Sequence, residues 1–162
     1  MSDFYIREVE ENELEKCADV IRQSFATVAA DFNITQETCP RHTSFTTVDW
    51  LLFDRNSGKT QYGLFINDNL SGFVCLEKKD DTIYELSKLA VIPSCRHNGY
   101  GRSLVDFAKD KVKSLGGNKI TIGIIEENTV LKEWYQSNGF VHTGTKKFPH
   151  QPFTAGFMEV NI

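Results

Sequence analysis

Alternating apolar and polar positions recur along this chain and predict most of its strands. The alternation begins at "FYIREVE" and returns at "QYGLFI", "LSGFVCLEKK" and "IYELSKLAVI", with the short polar turns "NDN" and "DDT" between the last three. Tight turns between alternating segments are typical of antiparallel hairpins. Pro93 ends the last of these strands because it has no N–H to donate. The middle of the chain is therefore predicted to be an antiparallel meander.

Apolar residues at helical spacing predict a helix on each side of this meander. On the first helix, Leu14, Ala18, Ile21 and Phe25 lie on one face. On the second helix, Leu104, Ala108, Val112 and Leu115 do so. The strand "KITIGII" comes next, then a short helix, "NTVLKEWYQSNGF", capped by Asn128, and two last strands, "FVHTGTKKF" and "FTAGFMEVNI". One β-α-β crossover after a meander predicts a mixed α/β (α+β) fold, with a mostly antiparallel central sheet flanked by helices.

The composition is that of an ordinary soluble globular protein, with 40% hydrophobic and 25% charged residues. No linker or repeat divides the sequence, so we expect one domain over residues 1–162. The net charge of −4 supplies no basic field, so we expect no nucleic-acid partner and any anion site must be built locally. The acidic start lacks an apolar signal segment, and no apolar run is long enough to span a bilayer. We therefore expect no membrane partner and a cytoplasmic location.

The four cysteines, Cys17, Cys39, Cys75 and Cys95, lie far apart and form no CxxC pair. Widely spaced cysteines in a reducing compartment are expected to be free thiols. Cys39 and His42 have the spacing of half a metal site, but no second ligand pair follows at a matching distance. The sequence therefore predicts no metal.

The segment "IPSCRHNGYGRSL" joins a predicted strand to a predicted helix through a loop that contains Arg96, Gly99 and Gly101. The first N–H groups of a helix have no partners within it, and the helix dipole favours negative charge beside them. Glycine lets these amides approach a phosphate closely, and an arginine adds a charge-assisted contact. The segment indicates an anion site, although glycines that only complete a tight turn would give the same pattern.

Two other glycine motifs do not fit this chain. A dinucleotide-binding GxGxxG would require glycine where Leu104 stands, and antiparallel hairpins precede the loop. Gly58, Lys59 and Thr60 match the end of a Walker A loop, but the first glycine of that motif would fall at Phe53. A strand follows these residues, whereas a loop of that type leads into a helix.

The glycine loop and two neighbouring segments resemble a known family. "RHNGYG" resembles the (Q/R)xxGx(G/A) signature of the GNAT superfamily of acetyl-CoA-dependent N-acetyltransferases, and "LAV" lies just upstream on a strand. "NTVLKEWYQSNGF" is similar to the family's segment that runs from an asparagine, through a hydrophobic residue and a tyrosine, to GF. The residues in register with it are Asn128, Leu131, Trp134, Tyr135, Gly139 and Phe140. The resemblance covers residues 82–142 and implies a GNAT-like fold.

This resemblance implies acetyl-CoA as co-substrate, an amine-bearing acceptor as partner, and direct acetyl transfer without a covalent enzyme intermediate. In the family the glycine loop binds the pyrophosphate of coenzyme A. Carried over to this sequence, the cofactor-binding residues are Leu89, Val91, Arg96, His97, Asn98, Gly99, Tyr100, Gly101, Arg102 and Asn128. No metal is implied, and homodimer formation is left open.

Acetyl transfer to an amine sets three tasks: deprotonating an ammonium, stabilising an oxyanion and protonating a thiolate. The resemblance implies Glu85, on the "YELSKLAV" strand, as the base, often through water; a solvated strand carboxylate is the alternative. It implies Tyr135 as the acid, since a phenol has a pKa of about 10, close to that of a thiol; an aromatic packed on the core is the alternative. A backbone N–H near Val91, at a strand bulge beside a splay between the fourth and fifth strands, would hold the oxyanion.

Two segments are candidates for the acceptor side. Residues 31–53 are long for a connection and rich in aromatics and hydroxyls, and the resemblance places them over the acceptor side of the cleft. Residues 142–153 approach from the other side. Candidate walls are Phe32, Phe45 and Trp50, and candidate substrate contacts are His42, Phe45, His142 and His150. Aromatics that only extend the core are the alternative, and small amines, amino acids, aminoglycosides, polyamines and protein N-termini all remain open as acceptors.

Two other functions remain open on the same residues. A non-catalytic acyl-CoA-binding module would keep Arg96, Gly99 and Gly101 without needing an acid or a base. A nucleotide- or phosphate-ligand-binding protein would use the same loop for ATP. The presence of both Glu85 and Tyr135 favours an N-acetyltransferase that acts on a primary amine.

Overall fold

The computed structural model describes residues 3–162. Its strands are β1 (Phe4–Glu8), β2 (Thr60–Ile66), β3 (Asn69–Lys78), β4 (Ile83–Val91), β5 (Lys119–Ile125), β6 (Val141–Lys147) and β7 (Thr154–Asn161). Its α-helices are α1 (Leu14–Asp31), α2 (Val48–Asn56), α3 (Tyr100–Ser114) and α4 (Thr129–Ser137). One-turn 3₁₀ helices lie at Glu11–Glu13, Thr43–Phe45 and Pro93–Cys95.

All of these strands belong to one sheet, in the order β1-β2-β3-β4-β5-β7-β6. The first four pair with their neighbours in chain order and antiparallel, which confirms the predicted meander. The chain then passes through α3 and returns as β5, parallel to β4, which is the predicted β-α-β crossover. The mixed, mostly antiparallel sheet flanked by helices is confirmed.

Helices α1 and α2 cover one face of the sheet, and α3 and α4 cover the other. On the first face, Leu14, Ile21 and Leu51 pack against Phe73 and Cys75 of β3. On the second face, the buried residues contributed by α3 and α4 are Leu104, Val105, Ala108, Val112 and Tyr135. Burial of these two apolar faces supplies the main driving force for this arrangement.

Two details differ from the sequence pattern. β1 ends at Glu8, two residues before the alternation does, because Glu10 and Glu13 form a capping box that begins a helical turn. Leu115, predicted on the buried face of α3, is 49% exposed because the helix ends at Ser114. The segment before β2 contains α2, whose first turn is capped by the Thr47 hydroxyl accepting from Trp50 N–H.

The cysteines are free thiols, as predicted. Burial raises the pKa of Cys17 to about 12 and that of Cys75 to about 11, so both stay protonated at neutral pH. In the range 3–162, no helix has the length and apolar character needed to cross a membrane.

The centre of the sheet is opened by two irregularities in β4. Its parallel pairing with β5 covers only Ile83–Glu85 against Lys119–Thr121, and beyond these residues the two strands diverge. Against β3, Ser87 of β4 pairs with Cys75 and Ala90 pairs with Phe73. β4 thus advances by three residues where β3 advances by two, so β4 carries one extra residue. Lys88 lies in this bulge with φ of 54°. The splay and the bulge create the opening in which the candidate site lies.

Candidate active site

The N-terminus of α3 presents backbone donors without partners. Gly99 caps the helix with φ of 83°, and the first helical bond runs from Ser103 N–H to Gly99 O at 3.0 Å. Within the described chain, the amides of residues 99–102 donate to no protein oxygen. Four unpaired N–H groups at a helix N-terminus are the donors that the predicted anion site requires.

The two glycines of the loop serve different physical needs. Gly99 adopts a left-handed conformation that a residue with a side chain rarely takes. Gly101 has an ordinary conformation, but a Cβ there would lie 3.1 Å from Cζ2 of Trp134 on α4. Gly101 therefore permits the close approach of α3 to α4 beside the free amides.

These amides open into a large cavity, the main cleft, of about 1010 Å³. It passes between the diverging parts of β4 and β5 and has walls from both faces of the sheet. From α1 come Ser24, Thr27, Val28 and Asp31, and from α3 and α4 come Tyr100, Leu131, Trp134 and Tyr135. The volume is at the upper end of the usual range for ligand sites, roughly 300–1,000 Å³. A cleft through the sheet can hold an extended ligand and expose it to a second molecule on the far side.

Tyr135 lies on the α3–α4 side of the main cleft and is 6% exposed. Its ring packs edge-on against Trp134 at 5.0 Å and Phe140 at 5.3 Å between centroids, which fixes its position. Burial raises the pKa of Tyr135 well above its usual value. The phenol therefore stays protonated at neutral pH, and in this buried state it is a weaker acid than the free phenol whose pKa matches that of a thiol.

Glu85 lies on the other face of the sheet. Its neighbours Tyr84 and Leu86 belong to the core under α3, so strand alternation directs Glu85 toward the α1 side. It is the last residue of β4 paired with β5, opposite Thr121, and it lines the main cleft. Its carboxylate has no hydrogen-bond or ion-pair partner among residues 3–162, which leaves it available to a ligand or water in the cleft.

The strand geometry also supplies a free amide at the splay. Ile92 N–H donates to Ser71 O on β3 at 3.0 Å. Because successive amides along a strand point in opposite directions, the Val91 N–H points away from β3 and toward the gap. Pairing with β5 has already ended, so no strand oxygen faces it. The predicted bulge and splay near Val91 are both present.

Arg96 points away from the free amides. Its guanidinium donates to Ser24 O at 2.7 Å, to Ser24 Oγ at 3.2 Å and to Thr27 Oγ1 at 3.1 Å. It lines the main cleft while joining the glycine loop to α1. Asn98 lies outside the cleft lining, and its side-chain amide donates to the carbonyls of Cys95 and Arg96. Asn98 therefore shapes the turn.

The other residues predicted to bind the cofactor are placed along the main cleft. Its lining includes Leu89, Val91, His97, Tyr100, Arg102 and Asn128. Asn128 also caps α4, its Oδ1 accepting from Leu131 N–H at 3.2 Å. Asn128 is thus the helix cap that the sequence predicts. It also lines the main cleft, where a ligand can contact it.

A second cavity, the side pocket, has a volume of about 570 Å³ and adjoins the main cleft. The residues that line both cavities are Phe25, Val28, Thr43, Gly123, Ile124, Asn128, Leu131 and Phe157. Two predicted acceptor contacts, His42 and His150, lie in its wall. Phe32, a predicted wall residue, lines the main cleft.

Three predicted acceptor residues lie away from both cavities. Phe45 packs into a small core cluster with Ala29 and Cys39. The His142 Nε2 lies 2.7 Å from Glu126 Oε1, and Glu126 also receives Lys132 Nζ at 2.6 Å. Trp50 lies beneath the Arg41 guanidinium, 4.3 Å from its ring centroid. Aromatic content in a connecting segment does not by itself say which rings face a cavity. Here a core cluster holds Phe45, Glu126 holds His142, and Arg41 packs on Trp50.

Sequence reasoning missed several lining residues. On α1, Ser24, Thr27, Val28 and Asp31 all face the main cleft, at a helical spacing that the sequence displays. In the last loop, Gln151 and Phe153 line the side pocket. The mixed polar and apolar stripe on α1 was a usable signal, because a helix face that packs only on a core has no need of Ser, Thr and Asp.

A family model for the acetyltransferase (GNAT) family matches residues 25–140 of the chain. Curated relatives include uncharacterized N-acetyltransferases of Staphylococcus aureus, 35% identical over 80 residues, which cover 41% of this chain. The chain spans 55% of the length of these relatives.

Solved structures with the same fold cover nearly the whole chain. They include a ribosomal-protein alanine N-acetyltransferase from Escherichia coli, with a TM-score of 0.79, 16% identity, and coverage of 99% of this chain and 94% of that one. A PaiA N-acetyltransferase from Thermoplasma acidophilum, solved with coenzyme A, has a TM-score of 0.76 and 20% identity over 99% of both chains. A third, YncA from Salmonella typhimurium, was solved with acetyl-CoA. Its TM-score is 0.71 at 18% identity, over 98% of this chain and 93% of that one.

Proposed function

Because the chain belongs to the GNAT acetyltransferase family, we propose that it moves an acetyl group from acetyl-CoA directly to a primary amine of its acceptor. The observation that carries this proposal is the main cleft itself. It joins four unpaired helix amides on one face of the sheet to an open carboxylate, Glu85, on the other. Donor and acceptor can therefore meet at the splay between β4 and β5.

The cofactor is expected to bind with its pyrophosphate on the amides of residues 99–102. The dipole of α3 favours negative charge there, and no protein group competes for these donors. The rest of coenzyme A would run along the main cleft beside Leu89 and Val91 toward the splay. The coenzyme A and acetyl-CoA held by the T. acidophilum and S. typhimurium proteins support this choice of cofactor.

The catalytic steps follow from the positions of three groups. Glu85, through a water molecule, accepts a proton from the acceptor ammonium, and the free amine attacks the thioester carbonyl. A C–N bond forms, and the Val91 N–H stabilises the oxyanion of the tetrahedral intermediate. The C–S bond then breaks, Tyr135 gives its phenolic proton to the departing thiolate, and the nitrogen of the new amide loses its second proton to water. Proton exchange with solvent restores both side chains.

The acceptor is expected to enter from the α1 side. Residues 31–53 and 142–153 form its walls, with His42 and His150 as the contacts that the side-pocket geometry supports. This face carries the open carboxylate of Glu85, which suits an approaching ammonium.

An assay of coenzyme A release with a panel of amines tests the proposal. The thiol is followed with a thiol-reactive chromophore, and a protein-only blank is needed because Cys95 is partly exposed. We expect thiol release only when protein, acetyl-CoA and an amine are present together. Calorimetry with acetyl-CoA and with ATP separates the alternatives. Acetyl-CoA binding without turnover of any amine would indicate a non-catalytic acyl-CoA-binding module, and tighter binding of ATP would indicate a nucleotide-binding protein.

A further inference from the structure

The side pocket has a lining that is specific enough to indicate a class of acceptor. The rings of Phe25, Phe148, Phe153 and Phe157 line it. Ile124, Ile125 and Leu131 complete its apolar surface. Aromatic walls of this kind favour a flat, apolar group, which stacks or packs edge-on against them.

The charges around the side pocket argue against a second cation. No carboxylate lines it in the described chain, and its one charged wall residue is Arg41. The guanidinium of Arg41 is held over Trp50. A second ammonium, as in a polyamine or an aminoglycoside, would lose its hydration here without gaining a counter-ion.

Two of the polar residues in the lining, His42 and Gln151, bear on the kind of ligand. His42 Nδ1 accepts from Ser44 N–H at 3.2 Å and lies 2.7 Å from Ser44 Oγ, so in the neutral ring the proton is on Nε2. Burial lowers the pKa of His42, which favours this neutral ring. Gln151 Oε1 is buried and has no hydrogen-bond partner among residues 3–162. A buried carbonyl oxygen without a partner is costly, and rotation of the Gln151 side chain toward the side pocket would let a ligand N–H or O–H satisfy it.

The side pocket adjoins the main cleft, and Phe25, Leu131 and Phe157 contribute to the walls of both cavities. An acceptor with its amine at the splay can therefore extend a side group into it. On the basis of the proposed function, we propose that the acceptor is a primary arylalkylamine whose ring carries an O–H or N–H donor. The ring occupies the side pocket, and its donor pairs with Gln151 Oε1.

Three amines test this inference on the whole chain: tyramine, phenethylamine and 1,4-diaminobutane. Burying an aryl group contributes about 1.5–3 kcal/mol, so kcat/KM for both aryl amines should exceed that of the diamine by about ten- to a hundred-fold. The ring hydroxyl should favour tyramine over phenethylamine by roughly five-fold, the worth of one hydrogen bond. Gln151→Leu should remove the preference for tyramine over phenethylamine and keep the preference for aryl amines over the diamine. Phe153→Ala should reduce the ratio of kcat/KM for the aryl amines to that for the diamine. Phe153→Leu should keep most of this ratio, because leucine still fills much of the apolar wall.

Binding of N-acetyltyramine, measured by calorimetry, separates failure of this inference from failure of the proposed function. Binding that Phe153→Ala weakens would support the aryl pocket even in a protein that turned over no amine. A diamine used as well as the aryl amines would overturn the aryl assignment while leaving acetyl transfer intact. A Gln151→Leu variant with the tyramine preference unchanged would overturn the pairing with Oε1.

A separate observation concerns the bulge in β4. Lys88, the residue with positive φ, extends its Nζ to Asp54 Oδ2 on α2 at 3.1 Å. Lys59 Nζ lies 3.3 Å from the other carboxylate oxygen of Asp54, which is 7% exposed. A left-handed conformation is unfavourable for a residue with a side chain and persists when its surroundings hold it.

We infer that Asp54 and Lys88 are positioning residues that hold the bulge so that the Val91 N–H faces the splay. Lys88→Met should reduce kcat by about ten-fold or more with acetyl-CoA affinity unchanged, since a displaced oxyanion donor affects the transition state. Lys88→Gly should lose less, because glycine accepts the left-handed conformation without the ion pair. Lys59→Met is the matched control, since it removes a cation from Asp54 without touching β4. Equal losses in Lys59→Met and Lys88→Met, or none in either, would overturn the assignment.

Discussion

The two halves of the candidate site are built by different parts of the polypeptide. The cofactor half, residues 99–102 at the start of α3, presents backbone amides whose positions follow from helix geometry. The acceptor half, the side pocket, presents side chains from α1, the segment near His42 and the loop before β7. Backbone donors tolerate any sequence that keeps the turn, whereas side-chain walls change with every substitution. One half can thus bind a fixed cofactor while the other determines the acceptor.

The largest effect is expected from blocking the cofactor half. Gly101→Val should abolish acetyl-CoA binding and leave the fold largely intact. A side chain at this position obstructs the free amides and meets Trp134, whose Cζ2 would lie 3.1 Å from the new Cβ. Calorimetry measures the affinity and circular dichroism the fold. Gly144→Ala, where a Cβ meets nothing within 4 Å, is the control. Retained acetyl-CoA affinity in Gly101→Val would contradict the phosphate-loop assignment.

The next largest effect is expected from Tyr135, the proposed proton donor. Tyr135→Phe keeps the ring that packs on Trp134 and Phe140 and removes only the hydroxyl. Turnover should fall on the order of 10²–10⁴, as is typical for loss of general acid catalysis. Acetyl-CoA affinity should barely change. Single-turnover kinetics together with calorimetry check both statements, and a variant with normal turnover would show that Tyr135 is only a core aromatic.

Glu85→Gln should have an effect that depends on pH. The acceptor ammonium has a pKa of about 10, so at neutral pH a base is needed, and at higher pH free amine becomes plentiful. Turnover should therefore be lowest well below the acceptor pKa and recover as pH rises. Glu77→Gln is the control, because Glu77 faces Glu85 across β3 and β4 without lining the cleft. A loss of turnover in Glu85→Gln that stays the same at every pH would mean that Glu85 is not the base.

The contrast between the halves also explains what the sequence could predict. Gly99 and Gly101 were identifiable because a helix start with glycine is a local pattern, and the bulge near Val91 was expected from the family resemblance. Phe45 and His142 lie outside both cavities because their packing depends on distant partners, a small core cluster and Glu126. Gln151 carried no local signal, since its significance lies in a buried oxygen without a partner. Long-range packing decides such positions.

Arg96 joins the glycine loop of the cofactor half to α1, which contributes to the acceptor half. Its removal should therefore have a moderate effect both on acetyl-CoA binding and on the acceptor KM. The sequence alone predicts that Arg96→Ala weakens acetyl-CoA binding by about 1.5–3 kcal/mol, the range for a charge-assisted hydrogen bond. The observed bonds to Ser24 and Thr27 predict instead a smaller loss of affinity, a raised acceptor KM and a lower free energy of unfolding. Calorimetry, kinetics and urea unfolding distinguish these outcomes. Thr27→Val, which removes one of the three bonds, should show a fraction of the same effects.

The smallest effect is a pH dependence confined to the acceptor half. Burial lowers the pKa of His42 from its usual value of about 6.5, so the folded protein favours the neutral ring. The stability that this ring contributes is therefore complete above the unfolded pKa and declines as pH falls below it. Below the lowered pKa, protonation places a cation among the aromatic rings, and the acceptor KM should rise by a few-fold. Acetyl-CoA affinity should not follow this titration.

Two controls isolate His42 in that experiment. The acceptor amine is already fully protonated below pH of about 7, so its own titration does not contribute. His42→Asn keeps a side chain that can cap Ser44 N–H, as Nδ1 does now, and removes the titrating ring. The rise of KM at low pH should disappear in this variant and persist in His150→Asn. If both variants keep the rise, or if acetyl-CoA affinity changes over the same pH range, the separation of the site into two independent halves is wrong.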